Sequence, residues 1–341
     1  MSDAVAIDEL GRRAESVLRA AGISTPYRLE AITGGGNNRV FRVEAAGQEA
    51  LLKAYFRHPD DPRDRLRADF GFSTFAWDAG ARALPRPLAC DPAAGLGVYG
   101  FVAGRKLDPG EVTAAHVVEA AAFVKGVNDR RADPRAAALP EASEACFSIA
   151  SHLACVDRRV ERLRGIDAAS PLGREATTLV VDRIQPAWGR VHDAVRFAAA
   201  TPDEPLAAAD RCLSPSDFGF HNALVAADGR LRFFDFEYAG HDDPAKLACD
   251  FFCQPAVPVP HEHLPVFVES LAGLWVSPAA FRRRVDLLLP AYEIKWCCIM
   301  LNEFLPAADS RRSFAGAGGD RESRRAAQLA KVAAALDRLH A

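Results

Sequence analysis

The segment SPSDFGFHNAL, residues 214–224, places Asp217 and Asn222 five positions apart among Phe218, Phe220 and His221. Thirteen residues beyond Asn222, the run RFFDFEYAGHDDP carries a further carboxylate, Asp235, in apolar surroundings. A carboxylate removed from water is costly unless something binds it. Three oxygen-bearing side chains in this order suit a hard cation such as magnesium and a group that receives phosphoryl. An Asp-x4-Asn pair by itself is common, and an Asp before a hydrophobic pair often caps a turn. The third member at a matching distance sets this segment apart.

Two stretches nearer the N-terminus could serve the same chemistry. Lys53 lies in the apolar run ALLKAY, where an unpaired ammonium is unfavourable. The bland alternative is an edge-strand lysine that snorkels to water. The stretch Gly34-Gly35-Gly36-Asn37-Asn38 precedes a β-patterned run and suits positive φ and close backbone approach. It lacks the G-x-x-x-x-G-K-[ST] pattern of a P-loop, and it opens no helix as a dinucleotide fingerprint does. Between strands, its backbone N–H groups could face phosphates.

These residues need elements to hold them. RVFRVE and ALLKAY read as strands joined by the turn AAGQ. PRDRLRADFGFSTFAWDAG has helical spacing, with Leu66, Phe70, Ala76 and Trp77 on one side and an end near Gly80. Short strands return up to about residue 104. From about residue 110 long amphipathic stretches dominate, and Pro186 is expected to kink or split the third of them. ALVAADGRLRFFDFE reads as a hairpin turning at Asp228-Gly229. Helices resume from AFRRRVDLLLP to the C-terminal RESRRAAQLAKVAAALDRLHA, and 307–323 reads as a mobile loop or linker. At 341 residues, with 49% hydrophobic and 26% charged, the chain can build two lobes with their own cores.

The net charge of −3 gives no sign of a nucleic-acid partner. The N-terminus reads as an amphipathic helix, not a signal peptide, and no apolar run is long enough to span a membrane. The eight cysteines form no C-x-x-C pairs and read as reduced, small hydrophobes. HEHLP at 261–265 is not H-E-x-x-H and reads as a surface loop.

A small sheet with one inserted helix, then a helical part with an acidic loop and hairpin, resembles the aminoglycoside phosphotransferase and choline kinase-like small-molecule kinases over roughly residues 30–305. The resemblance implies an α+β, two-lobed protein-kinase-like fold. Its small antiparallel-sheet lobe would span residues 1–103, with one helix in the sheet and a further helix at the N-terminus. Its larger, mainly helical catalytic and substrate lobe would span 104–341. It also implies a cytoplasmic enzyme that uses ATP and Mg2+. By resemblance, Asp217 orients the acceptor hydroxyl and takes its proton, while Asn222 and Asp235 hold magnesium. Lys53 would reach the nucleotide phosphates and pair with Asp69, where the family usually has Glu; Asp64 is the alternative. Gly34, Gly35, Gly36, Asn37 and Asn38 would cover the phosphates. VYGFVAG at 98–104 would form the interlobe hinge, with Tyr99 and Phe101 beside adenine. Asp243, in Asp-Pro, would tie down the catalytic loop.

Phe220, His221, Glu237, His241, Glu293, Trp296, Asn302 and Glu303 are candidates for the acceptor site. Glu237 and His241 could equally solvate a turn, and the α-helical aromatics could equally be core. The family's His-Gly before the catalytic Asp is Pro215-Ser216 here, and His221 is displaced to directly precede Asn222. The leading expectation is a kinase acting on a hydroxyl of a small polar metabolite: a sugar, sugar conjugate, amino alcohol or aminoglycoside-like compound. An AMP-transferring enzyme and a nucleotide-binding pseudokinase remain alternatives on the same fold. A hydrolase is disfavoured, since no G-x-S-x-G elbow is present.

Overall fold

The computed structural model describes residues 3–32, 38–58, 61–305 and 320–339. Five antiparallel strands form the first sheet: β1 (Arg28–Ile32), β2 (Arg39–Ala45), β3 (Gln48–Ala54), β4 (Pro87–Asp91) and β5 (Leu96–Gly100), in the order β1-β2-β3-β5-β4. Strand alternation assigns the two faces. Phe41, Val43, Leu52 and Val98 are buried with Leu10, Val17 and Leu18 of helix α1 (Asp3–Ala20). In register, Leu52 opposes Val98 and Lys53 opposes Gly97, so Lys53 points to the other face. That face meets α2 (Arg65–Asp78), inserted between β3 and β4.

Two features of this part differ from the sequence reading. β1 was not recognised as a strand, because its burial alternates little and most of its residues are exposed. On α2 the buried side runs through Leu66, Asp69, Phe72, Ser73 and Ala76, while Phe70 and Trp77 are only partly covered. The helix packs on β4 and β5 and on the helical core together, so its buried side includes polar residues that an apolar stripe does not reveal.

The remainder is mainly helical: α3 (Ala114–Asn128), α4 (Ile149–Arg162), α5 (Pro171–Leu179), α6 (Gln185–Ala198), α7 (Pro244–Cys253), α8 (Leu264–Ala272), α9 (Pro278–Leu301) and α10 (Arg321–Leu339). α9 is the hub, touching α4, α6, α7, α8 and α10. Its Tyr292, Cys297, Cys298 and Leu301 are buried. The Pro186 expectation has a specific outcome: a π-helical turn, Val180–Ile184, separates α5 from α6, and Pro186 sits in the first turn of α6. The chain stays helical through this turn, Gln185 N bonding the Val180 carbonyl, and the wider π-turn accommodates the residue that lacks an N–H.

Five short strands, two of them a hairpin, carry the loops of interest. β6 (Gly104–Arg105) pairs with β8 (Ala223–Ala226), which pairs with β9 (Leu231–Phe233). β7 (Cys212–Ser214) pairs with β10 (Gly240–Asp242). The β8–β9 turn uses Gly229 at φ 74°, a left-handed value glycine adopts without strain. The stretch 307–319 of the expected linker and Gly34, Gly35, Gly36 and Asn37 lie outside the described residues. All eight cysteines are free, and among the described residues no helix is long and apolar enough to cross a membrane.

Asp243 follows β10 and organises this region. Its carboxylate caps α7 by accepting from Ala245 N at 2.8 Å. It also lies 3.0 Å from His152 Nε2 and accepts from Arg284 Nε at 2.5 Å. Burial pushes its carboxyl upward, but His152 and Arg284 outweigh burial and hold it below the usual carboxylate range. Removing one member of such a buried network leaves the others unpaired. We therefore expect Asp243→Ala to cost about 3–5 kcal/mol in urea unfolding. Because the folded pKa is depressed, the carboxylate's contribution is complete above the unfolded value near 4. The gap between wild type and variant should narrow as pH falls below that value; a gap independent of pH would exclude an ionised Asp243.

Candidate active site

The loop after β7 begins with a tight bend. Ser216 has φ 64°, its N–H donates to Ser214 Oγ at 3.0 Å, and Phe218 N donates to the Ser216 carbonyl. Phe218 anchors the bend by stacking on Phe123, Phe233 and Phe251. Asp217, between the bend and this anchor, keeps its side chain 39% exposed. Asn222 Nδ2 donates to the Asp217 carbonyl at 3.0 Å. Phe234 N donates to the Asn222 carbonyl at 3.0 Å, which carries the chain directly to Asp235, itself at φ 69°. Hairpin pairing thus brings Asn222 and Asp235 together although thirteen residues separate them. Lys106 Nζ donates to the His221 carbonyl at 2.5 Å and sits over the Phe234 ring.

Asp235 meets the sheet through Lys53. The ammonium lies 2.7 Å from Asp69 Oδ2 and also contacts Asp235 Oδ1. Burial alone would push the Lys53 pKa down. Asp235 and then Asp69 reverse that, and it stands well above its ordinary value. Asp69 is further held by Tyr55 OH at 2.8 Å and by Phe236 N at 3.2 Å. Tyr55 OH in turn shares a 2.7 Å hydrogen bond with Tyr99 OH. Burial, then Asp69, raises the Tyr55 hydroxyl well above its ordinary range, so it remains a donor. Asp64, the alternative partner for Lys53, caps α2 instead by accepting from Arg67 N at 3.0 Å.

Asp217 opens into a cleft of about 1170 Å³. His221, Glu237, Trp296 and Asn302 line it as well. His221 Nε2 lies 3.4 Å from Asp217 Oδ1, and neither ring nitrogen makes a hydrogen bond. Glu237 is buried, accepts from Asn38 Nδ2 at 2.5 Å and lies 3.7 Å from Arg65 Nε. Asn38 also accepts from Phe56 N at 3.1 Å, so it links the end of the glycine stretch to the cleft wall.

Several acceptor-site candidates are corrected. Phe220 is fully buried against Phe251 and His116 and presents no surface to a ligand. His241 is held in β10 with Nε2 2.9 Å from the Ala136 carbonyl, outside the cleft lining. On α9, Trp296 and Ile299 face the cleft, whereas Glu293 turns toward His261 at 3.9 Å. Glu303 is buried against Arg324 at 3.3 Å. Tyr99 projects into the packed layer between β5 and α2, 5.8 Å from Phe70. Phe101 is partly exposed, with the Arg42 guanidinium 5.0 Å from its ring. Among the described residues, no group of three or more His, Cys, Asp or Glu is arranged to hold a metal.

Sequence reasoning passed over Tyr55, Lys106, Arg65 and the cleft lysines Lys246 and Lys295. A signal existed for Tyr55: it lies two residues beyond Lys53 on an extended chain, and so on the same face. The others come from segments whose convergence depends on the tertiary fold.

A sheet lobe and a helical lobe meeting at this cluster define a protein-kinase-like fold. A profile of the phosphotransferase enzyme family matches residues 28–253. The chain belongs to that family. Among solved structures it resembles a choline/ethanolamine kinase family protein from Mesorhizobium loti, at 20% identity and TM-score 0.55, covering 96% of this chain and 98% of that one. Spectinomycin phosphotransferase, solved with ADP and spectinomycin, aligns at 10% identity and TM-score 0.60, covering 96% and 98%. Plasmodium vivax ethanolamine kinase aligns at 13% identity and TM-score 0.58, covering 94% and 88%. At these identities the likeness is one of fold. No curated protein matches the sequence.

The Tyr55 hydroxyl generates a structural prediction. Tyr55→Phe removes one donor from Asp69 while leaving Lys53 in place. It should lower stability by about 1–3 kcal/mol, read as a urea midpoint shift; an unchanged midpoint would show that the Tyr55–Asp69 bond contributes nothing net.

Proposed function

We propose that this phosphotransferase moves the γ-phosphoryl group of ATP to a hydroxyl of a small polar metabolite. The observation that carries the reading is the connected set of Asp217 in the cleft, Asn222 bonded to its carbonyl and, through the hairpin, Asp235 joined by Lys53 to Asp69. In this reading residues 1–103 form the nucleotide lobe and 104–341 the catalytic and acceptor lobe, in a cytoplasmic enzyme. The backbone around Phe101 meets adenine, and Lys53 exchanges part of its contact with Asp235 for nucleotide phosphates.

The residues fit magnesium. Asn222 spends its amide N–H on the Asp217 carbonyl, which leaves Oδ1 as its free group. Asp235 supplies a carboxylate across the hairpin. Hard oxygens of this kind suit the ion, which keeps waters and needs few protein ligands. When bound, it neutralises phosphate charge. Asp217 orients the acceptor hydroxyl and takes its proton as the new O–P bond forms and the bond to the ADP oxygen breaks. Its partial exposure keeps it ready for an acceptor, and the bond from Asn222 fixes its backbone.

The test is ATP consumption against aminoglycosides, amino alcohols, sugars and sugar conjugates, with product mass measured. A gain of one phosphate on a single compound supports the reading; a gain of AMP would replace it. With that acceptor, Asp217→Ala should lower turnover by about 10²–10⁴-fold while nucleotide affinity stays near wild type; lost nucleotide binding would contradict its role. Asp235→Ala should abolish the magnesium dependence of nucleotide binding in calorimetry, and retained dependence would point to another ligand.

A further inference from the structure

The end of the cleft beyond Asp217 has a charge arrangement that the reading above does not use. Its carboxylates are spent on neighbouring cations. Asp250 accepts from Lys295 Nζ at 2.8 and 3.0 Å and from Trp296 Nε1 at 2.8 Å, with Lys246 Nζ at 3.5 Å. Lys246 also pairs with Asp242, which is fully buried. Glu144, held at the left-handed φ of 56°, pairs with Arg159. Two of the cleft's aromatic rings are already covered by cations, Tyr238 by Arg63 at 5.3 Å and Arg65 at 5.8 Å and Phe56 by Arg65 at 5.5 Å, while Trp296 spends its Nε1 on Asp250. At the rim Glu141 and Asp64 are exposed, and Asp64 is occupied as a helix cap.

What remains unspent at this end is donors. Arg159 Nε is buried with no hydrogen-bond partner. Gln254 is 6% exposed and uses only its carbonyl oxygen, accepting from Ala256 N at 2.8 Å and Val257 N at 3.3 Å, which leaves its NH₂. Lys295 bonds the two oxygens of Asp250 and lies 4.6 Å over the Tyr292 ring, and its ammonium carries three N–H donors in all. Arg162 stands exposed on the same wall. A buried donor without a partner is unfavourable, and a ligand that brings acceptor oxygens relieves it. A cationic ligand would meet these donors, and the carboxylates next to them, Asp250 and Glu144, are already paired with lysine and arginine.

We propose, resting on the phosphotransferase reading, that the acceptor alcohol carries an oxyanion, a carboxylate or phosphate monoester, seated on Arg159, Gln254 and Lys295 with its hydroxyl directed to Asp217. Ammonium compounds are rejected at this end.

Calorimetry on the full chain separates the two readings. A first titration with a non-hydrolysable ATP analogue and magnesium tests nucleotide binding alone; its failure overturns the kinase reading and leaves the anion site to stand or fall separately. The nucleotide-saturated protein is then titrated with inorganic phosphate, acetate and choline, the tryptophan fluorescence being followed in parallel. Binding of phosphate or acetate and no binding of choline is expected, and which anion binds tells a phosphate monoester from a carboxylate. Arg159→Gln should weaken the bound anion about tenfold or more. Arg162→Ala, on an exposed side chain, should weaken it less and serves if Arg159→Gln does not fold. Choline binding more tightly than both anions, neither anion binding, or anion affinity unmoved by both variants would overturn the proposal.

Discussion

A buried ammonium held between two carboxylates is the constraint on which this structure turns. Lys53 comes from the sheet, Asp69 from the helix inserted between β3 and β4, and Asp235 from the segment after the hairpin. A charge in a poorly solvated place must be paired, so these three elements have to converge. Magnitude argues that stability alone does not explain the cluster. Breaking a buried pair costs about 3–5 kcal/mol, yet replacing it whole by hydrophobic residues is often neutral or favourable. What the cluster achieves is a cation held where the sheet meets the helical part.

Around that point the chain accepts local strain. Among the described residues, the non-glycine positions with positive φ are Ala46, Glu144, Ser216 and Asp235. Ala46 belongs to the β2–β3 turn; the other three border the cleft or its catalytic loop. Such conformations cost about 1–3 kcal/mol each and persist only where the surroundings dictate them. Here the surroundings are a dense aromatic floor. Phe218, Phe233, Phe251 and Phe123 stack beneath the loop, and an interior packed this closely resists shifts of the backbone above it.

Much of this was legible in the sequence, and the reasons are specific. The hairpin announced itself through Asp228-Gly229 between alternating runs, and Pro186 announced the break between α5 and α6. Lys53 and Asp235 stood out because charges in apolar runs demand an account. The family resemblance supplied Asp69, whose tertiary setting then showed how a side chain one methylene shorter than Glu is held by Tyr55 and Phe236. The acceptor side was read poorly. Glu293 and Trp296, three residues apart on α9, share a face by spacing alone, and only the tertiary packing sets Glu293 beside His261 and Trp296 in the cleft. Phe220 was drawn in by its neighbours Asp217 and Asn222, although a buried ring within a catalytic loop more often anchors it. Arg159, Lys246 and Lys295 are far apart along the chain, and no local pattern marks their meeting.

The Asn38–Glu237 hydrogen bond connects the two halves of the cleft through a single amide. Asn38 ends the glycine stretch, and Glu237 walls the acceptor side. A ligand that draws Asn38 away removes one partner of the buried Glu237 carboxylate, which keeps Arg65 beside it at 3.7 Å; a ligand that engages Glu237 alters what holds Asn38. Thermodynamic linkage makes the two effects equal in free energy. One bond of this kind therefore couples whatever binds on its two sides.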